Sequence, residues 1–299
     1  MLTMKPLQAL LSDIKISHTV FALPFAFLAA TMAGTVQGAP IWSRFSIQLL
    51  FVLICMVLAR TSAMLANRIL DRAIDKTNPR TAQRALPSGR ASTKTAIILC
   101  LIINVLFIAA TSAFGLMWDN WVPLALSIPV LGWLSVYPIL KRFTWLCHIY
   151  LGASLAISPI AAAIAVQPEA LEHLPVWLLS SAVLCWVAGF DIIYALQDVD
   201  CDIRDQLKSM PASLGIKPAM LMSQVLHCLS IAFLFGVATS DSRLGWLFQG
   251  AIVLAAAILI VEHLTVKKWG TTKIALTFFM LNGIVSLVLG GTGILDLLT

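Results

Sequence analysis

The chain has 299 residues, of which 60% are hydrophobic and only 11% charged, with a mean hydropathy of +0.92. Soluble domains carry roughly 25% charged residues, so this composition excludes a water-soluble globular protein and makes lipid the main solvent. The net charge of +6 calls for no nucleic-acid partner, because basic loops against an anionic leaflet account for it.

In chain order, nine apolar stretches are long enough to cross a bilayer, which takes about 20 residues per helix. They run over 17–37, 46–70, 92–114, 119–137, 146–166, 176–196, 219–239, 246–265 and 274–295. Long apolar runs favour helices over a barrel, since each helix satisfies its own backbone hydrogen bonds. The first stretch is not read as a cleaved signal. The segment before it, Met1 to Ser17, is long, contains Asp13 and leads to no small-residue cleavage site.

With the N-terminus in the cytoplasm, the inner connections hold Lys5, Lys15, the basic run from Arg68 to Lys94, Lys141, Arg142, Arg204, Lys208, Lys217, Lys267, Lys268 and Lys273. The outer connections hold only Arg44 and Arg243. This asymmetry follows the positive-inside rule and predicts a multi-pass protein of a bacterial-type inner (cytoplasmic) membrane. The six cysteines form no CxxC pair and sit mostly in apolar segments, as small hydrophobes do. The five histidines lack metal-ligand spacing, so neither zinc nor haem is suggested.

Two segments break the apolar texture, at the ends of the second and sixth stretches. The first holds Asn67, Arg68, Asp71, Arg72, Asp75 and Lys76 and continues through Arg80 and Arg84 to Arg90. The second holds Asp191, Tyr194, Gln197, Asp198, Asp200, Asp202, Arg204 and Asp205. Asn67, Asp71 and Asp75 recur every fourth residue and so stack on one helix face. Asp191, Tyr194, Asp198 and Asp202 are expected to form the matching stripe. Carboxylates stacked in this way repel one another unless a cation neutralises them. Magnesium takes one or two carboxylates while keeping phosphate oxygens in its shell, so two facing stripes can hold Mg2+ and, through it, a diphosphate. Neighbouring Arg and Lys would take the remaining anionic oxygens. The competing reading, solvated loop ion pairs of little energetic weight, suits Asp200 and Asp205 better. Arg60 and Asp191 lie deeper in their helices, where charge is costly and usually functional; a structural salt bridge between them is the alternative.

At these residues the sequence resembles the UbiA superfamily of intramembrane prenyltransferases. The NxxxDxxxD motif is matched by Asn67, Asp71 and Asp75, and YxxQDxxxD by Tyr194, Gln197, Asp198 and Asp202. The resemblance covers nearly the whole chain. It implies a single domain over 1–299, an all-α membrane protein in which nine transmembrane helices surround a central cavity under a cytoplasmic cap. By position it implies that Asp71, Asp75, Asp198 and Asp202 coordinate Mg2+ with help from Asn67, and that Arg72, Lys76, Arg80 and Arg84 face the diphosphate. The run Tyr137 to Arg142 is similar to the family's YPxxKR stretch. There Tyr137 faces the allylic carbon and Lys141, with Arg142, the diphosphate; interfacial anchoring of Tyr137 and topological charge at Lys141 and Arg142 are the plainer readings. Arg60 matches the position implicated in the acceptor carboxylate, and Asp191 the position near the acceptor hydroxyl. Relatives often begin the first motif with Asn-Asp, whereas Arg68 stands second here and is no metal ligand.

The expected chemistry is Mg2+-dependent transfer of a polyprenyl group from its diphosphate to an aromatic hydroxy-acid, 4-hydroxybenzoate or a dihydroxynaphthoate, for ubiquinone or menaquinone. Two other classes compete. A CDP-alcohol phosphotransferase needs an Asp-Gly that is missing before Ala59-Arg60. A carboxylate-lined secondary transporter would place its ionisable groups near the bilayer midplane, not at one mouth.

Overall fold

A computed structural model describes residues 6–14, 21–36, 38–274 and 277–299, with backbone alone at 277 and 278. Its helices are α1 (Pro6–Ile14), α2 (Leu23–Gly34), α3 (Trp42–Thr77), α4 (Thr93–Trp118), α5 (Val122–Leu140), α6 (Cys147–Val166), α7 (Leu174–Ala195), α8 (Val199–Arg204), α9 (Met210–Leu214), α10 (Ile216–Ser240), α11 (Trp246–Trp269) and α12 (Asn282–Leu298). No strand occurs among the described residues. Eight helices, α3 to α7 and α10 to α12, are long and apolar enough to cross a membrane, which makes this a multi-pass membrane protein.

The expected count of nine is therefore not met among the described residues. The first stretch, 17–37, contains the twelve-residue α2, while residues 15–20 and 37 fall outside the described set. Eight residues of α2 are buried, including Phe25, Leu28 and Met32. It packs between α6 and α12, so protein rather than lipid solvates most of its surface.

The centre of the bundle is α7, flanked by α6 and α10; thirteen of its 22 residues are buried. Small residues allow this closeness. A Cβ on Gly152 of α6 would lie 2.4 Å from the Leu184 carbonyl oxygen of α7. Serine hydroxyls then join the backbones: Ser180 donates to Ala156 O at 2.7 Å, Ser223 to Gly189 O at 2.7 Å and Ser230 to Ala182 O at 2.9 Å. Interhelical bonds of this kind contribute where lipid leaves no hydrophobic drive between helices. The outward faces of α4, α5 and α11 carry exposed Leu101, Val105, Ile128, Val253 and Ile260, as lipid contact requires.

The helices end in two polar layers. At one end Asn120 donates to Ile164 O and Ala165 O, Arg243 to Thr35 Oγ1, and the backbone N–H groups of Gly245 and Phe248 to Asp296. At the other, α1, the 78–92 connection, the 141–146 turn and α8–α9 gather around the C-terminal end of α3. The 36 residues of α3 extend about 54 Å at 1.5 Å per residue, well beyond a hydrocarbon core of about 30 Å. Asn67, Asp71 and Asp75 are thus carried to this second layer. Gly215, between α9 and α10, has φ +90, a left-handed turn that favours glycine.

Candidate active site

Asn67, Asp71 and Asp75 share one face of α3, as their spacing predicts. Asn67 donates from Nδ2 to Asp71 Oδ2 at 3.1 Å. Both carboxylates are buried, at 2% and 5% exposure, a costly placement that only pairing supports. Lys141 Nζ lies 2.7 Å from Asp71 Oδ2, and Arg142 Nη2 lies 3.6 Å from Oδ1 while donating to Leu70 O at 2.7 Å. Arg84 Nη1 bridges both oxygens of Asp75 at 2.8 Å.

The second acidic segment joins the first through Arg80. Its Nε and Nη2 meet Asp198 Oδ1 and Oδ2 at 3.0 and 2.5 Å, and its Nη1 donates to Tyr194 Oη at 3.2 Å. Asn78 adds a bond to Asp198 Oδ1 at 3.0 Å. Burial works against the Arg80 charge, yet the bidentate bond to Asp198 prevails and lifts its pKa above the usual guanidinium value. The carboxylates of two segments more than a hundred residues apart therefore meet within one basic frame.

Several expectations need correction. The stripe from Asp191 to Asp202 is not continuous: α7 stops at Ala195, a 3-10 turn takes Leu196–Asp198, and α8 starts at Val199. The tighter turn rotates each residue further than an α-helix does, so Asp202 does not inherit the direction of Asp191. Gln197 donates to Tyr194 O at 3.2 Å and so secures this turn. Arg72 and Lys76 are exposed, one residue and about 100° round α3 from Asp71 and Asp75. Arg72 donates to Ile69 O, and the structure brings neither base to the carboxylates. No salt bridge joins Arg60 to Asp191; Asp191 meets His148 instead, at 2.7 Å. Asp205 is held below the usual carboxylate range by Arg204 and Thr77, at the surface, as its loop position suggests.

Asp71, Asp75 and Asp198 offer carboxylate oxygens, the ligand type that hard divalent cations take. Asp71 Oδ1 is buried with Arg142 Nη2 in ion-pair range at 3.6 Å but without a hydrogen bond among the described residues, and a carboxylate oxygen so placed suits an added cation. Each carboxylate is otherwise balanced by Lys or Arg, and no three acidic, His or Cys side chains among the described residues converge as a metal-holding group. The residues fit a cation that arrives together with an anion able to occupy the bases.

Deeper in the bundle a cavity of about 210 Å³ opens between α3, α4, α5 and α6. Its walls are apolar, with Val52, Met56, Phe107, Phe114, Leu126 and Ile160, and Arg60 is its cationic member. Arg60 Nε is buried without a hydrogen-bond partner among the described residues. It stands eleven residues from Asp71, about 16 Å along α3. Tyr137 is half-buried and lies within electrostatic reach of Asp191, Asp71 and Arg60.

Sequence reasoning missed three participants. Asp13 of α1 accepts from Ala85 N–H at 2.5 Å and from Arg68 through its carbonyl at 3.3 Å, which seats α1 on the basic loop. Asn78, in an Asn-Pro turn signal, orients both Arg80 N–H and Asp198. His148 has no motif to announce it.

Comparison with known proteins agrees with this arrangement. The model of the UbiA prenyltransferase family matches residues 22–284. A 4-hydroxybenzoate octaprenyltransferase of Serratia proteamaculans is 32% identical over 265 residues, 87% of this chain and 84% of that protein. One from Vibrio vulnificus is 28% identical over 85% and 84% of the two chains. Among solved structures, a UbiA homologue from Aeropyrum pernix superposes with a TM-score of 0.81 at 30% identity, over 94% and 98% of the two chains. A UbiA homologue from Archaeoglobus fulgidus, bound to GPP and Mg2+, shares the fold with a TM-score of 0.71 at 15% identity, over 97% and 100%.

Proposed function

The chain belongs to the UbiA prenyltransferase family, and on that premise we propose that it transfers a polyprenyl group from its diphosphate to an aromatic hydroxy-acid in respiratory quinone synthesis. The observation that carries this reading is the Arg80–Asp198 clamp beside the Lys141–Asp71 and Arg84–Asp75 pairs. It gathers anion-binding and cation-binding groups at one mouth above an apolar cavity.

Asp71, Asp75, Asp198 and Asp202, with Asn67, would hold Mg2+. When bound, that cation supplies electrostatic stabilisation of charge on the leaving diphosphate. Lys141, Arg142, Arg80 and Arg84 exchange their carboxylate partners for diphosphate oxygens, with guanidinium forks suited to that geometry. As the allylic C–O bond breaks, the half-buried Tyr137 ring offers its face to the allylic cation and the apolar cavity shields that cation from water. A ring carbon ortho to the acceptor hydroxyl forms the new C–C bond and loses its proton, for which Asp191 is the nearby base. Arg60 binds the acceptor carboxylate, and the apolar cavity takes up prenyl carbon. The family relatives named for 4-hydroxybenzoate favour that acceptor over a dihydroxynaphthoate. Orientation follows the charge asymmetry: the acidic mouth and the N-terminus face the cytoplasm of a bacterial-type inner membrane.

The test supplies purified protein, Mg2+ and a labelled polyprenyl diphosphate with 4-hydroxybenzoate, 1,4-dihydroxy-6-naphthoate or 1,4-dihydroxy-2-naphthoate in parallel. Label is expected in the 4-hydroxybenzoate product and abolished by chelation. Label in a naphthoate alone moves the acceptor assignment; label in none of them rejects the reading.

A further inference from the structure

His148 lies in the first turn of α6 and is buried. Its two ring nitrogens have different partners. Nε2 lies 3.1 Å from the backbone N–H of Met210, the first residue of α9. A backbone N–H can only donate, so Nε2 must present its lone pair. The ring proton is therefore on Nδ1, 2.7 Å from Asp191 Oδ2, and is donated to that carboxylate. Two bonds thus fix the tautomer of His148 and the rotation of Asp191, without a proton shared in doubt.

The segment that supplies Met210 is itself anchored. The Met210 side chain is fully buried against Cys185, Ala188 and Ile192 of α7. Two residues earlier, Lys208 N–H donates to Lys141 O at 2.5 Å. The 205–210 connection therefore touches both halves of the site: the residue that holds Asp71, and the residue that holds Asp191.

We infer that His148 is a positioning residue for the aromatic acceptor, holding Asp191 through Oδ2 so that Oδ1 is presented toward the acceptor hydroxyl. This rests on the prenyl-transfer reading above. His148 acts through Asp191 and not on substrate directly, as an orienting group acts on a base in other enzymes.

The experiment compares wild type, His148→Leu and His148→Asn in the purified full-length protein with Mg2+, varying acceptor and prenyl diphosphate separately. Asn places an amide N–H near the position of Nδ1, whereas Leu keeps bulk without a donor. His148→Leu is expected to lower kcat/KM for the aromatic acid by about 10- to 100-fold, the scale of one charge-assisted hydrogen bond. KM for the prenyl diphosphate should stay within about twofold, since Lys141, Arg80 and Arg84 are untouched. His148→Asn should recover most of the loss. An unchanged Leu variant, or an Asn variant as poor as Leu with both KM values shifted together, overturns the inference. Should His148→Leu not fold, His148→Asn against wild type decides it, with near-wild-type acceptor KM expected and a loss of 10-fold or more contradicting. A wild type that makes no product fails the prenyl-transfer reading itself, a distinct result.

Discussion

At the scale of single residues, the proposed reaction turns on an exchange of partners. Asp71 and Asp75 can be buried only because Lys141 and Arg84 neutralise them, and those same bases are what a diphosphate would draw away. Removing one partner of a buried pair strands the other charge, which is why such changes cost far more than loss of a surface pair. The opposite end offers a separate titration. Burial raises the Asp241 pKa, but the bond from Arg243 brings it below the usual carboxylate range. A folded value below the unfolded one means that ionised Asp241 stabilises the protein above about pH 4 and that this contribution fades as pH falls through the folded value. The stability gap between wild type and Asp241→Asn, measured by thermal unfolding in detergent, is expected to be constant from pH 7 to 5 and to shrink below about pH 4. A gap that widens on acidification would refute the assignment.

Much of this was legible residue by residue. Fourth-residue spacing gave the shared face of Asn67, Asp71 and Asp75, and family resemblance brought Lys141 to the same anion. The resemblance put Arg72 and Lys76 at the diphosphate, whereas the 100° step between neighbours on a helix turns them away from the buried face that carries Asp71 and Asp75. His148 and Asp13 could not be read, because a lone histidine or aspartate acquires its partner only through tertiary contact.

At the scale of elements, helix ends decide the geometry. The sixth apolar stretch reads as one helix into the acidic motif, yet the 3-10 turn at Leu196–Asp198 redirects α8. Hydropathy and spacing do not distinguish i→i+3 from i→i+4 bonding, so the turn was invisible. It places Asp198 within reach of Arg80 and frees the 205–210 connection to close over Lys141 and His148. Below it, Gly152 brings α6, one wall of Arg60's cavity, against α7, which carries Asp191. Replacing Gly152 with Val would drive side-chain atoms into the Leu184 carbonyl and is expected to destabilise by about 1–3 kcal/mol, read as a lower Tm in detergent with loss of activity. A variant as stable as wild type would show that α6 and α7 need not approach so closely.

At the scale of the whole molecule, composition and the division of charge fixed an α-helical, multi-pass protein with one basic face before any coordinates. Eight spans stand among the described residues, and in the first apolar stretch the twelve residues of α2 pack between α6 and α12. The family match removes the transporter and CDP-alcohol phosphotransferase readings.

Under the proposed function the acidic segments of α3 and α7–α8 grip one diphosphate together. Calorimetric binding of a non-reactive prenyl thiodiphosphate, with and without Mg2+, in wild type, Asp71→Asn, Asp198→Asn and the double variant tests it most directly. Each single change is expected to weaken Mg2+-dependent binding by about 10- to 100-fold, and the double by no more than about threefold beyond either, because groups serving one ligand are not additive. Independent, multiplying losses, or a single variant that binds like wild type, would contradict the account.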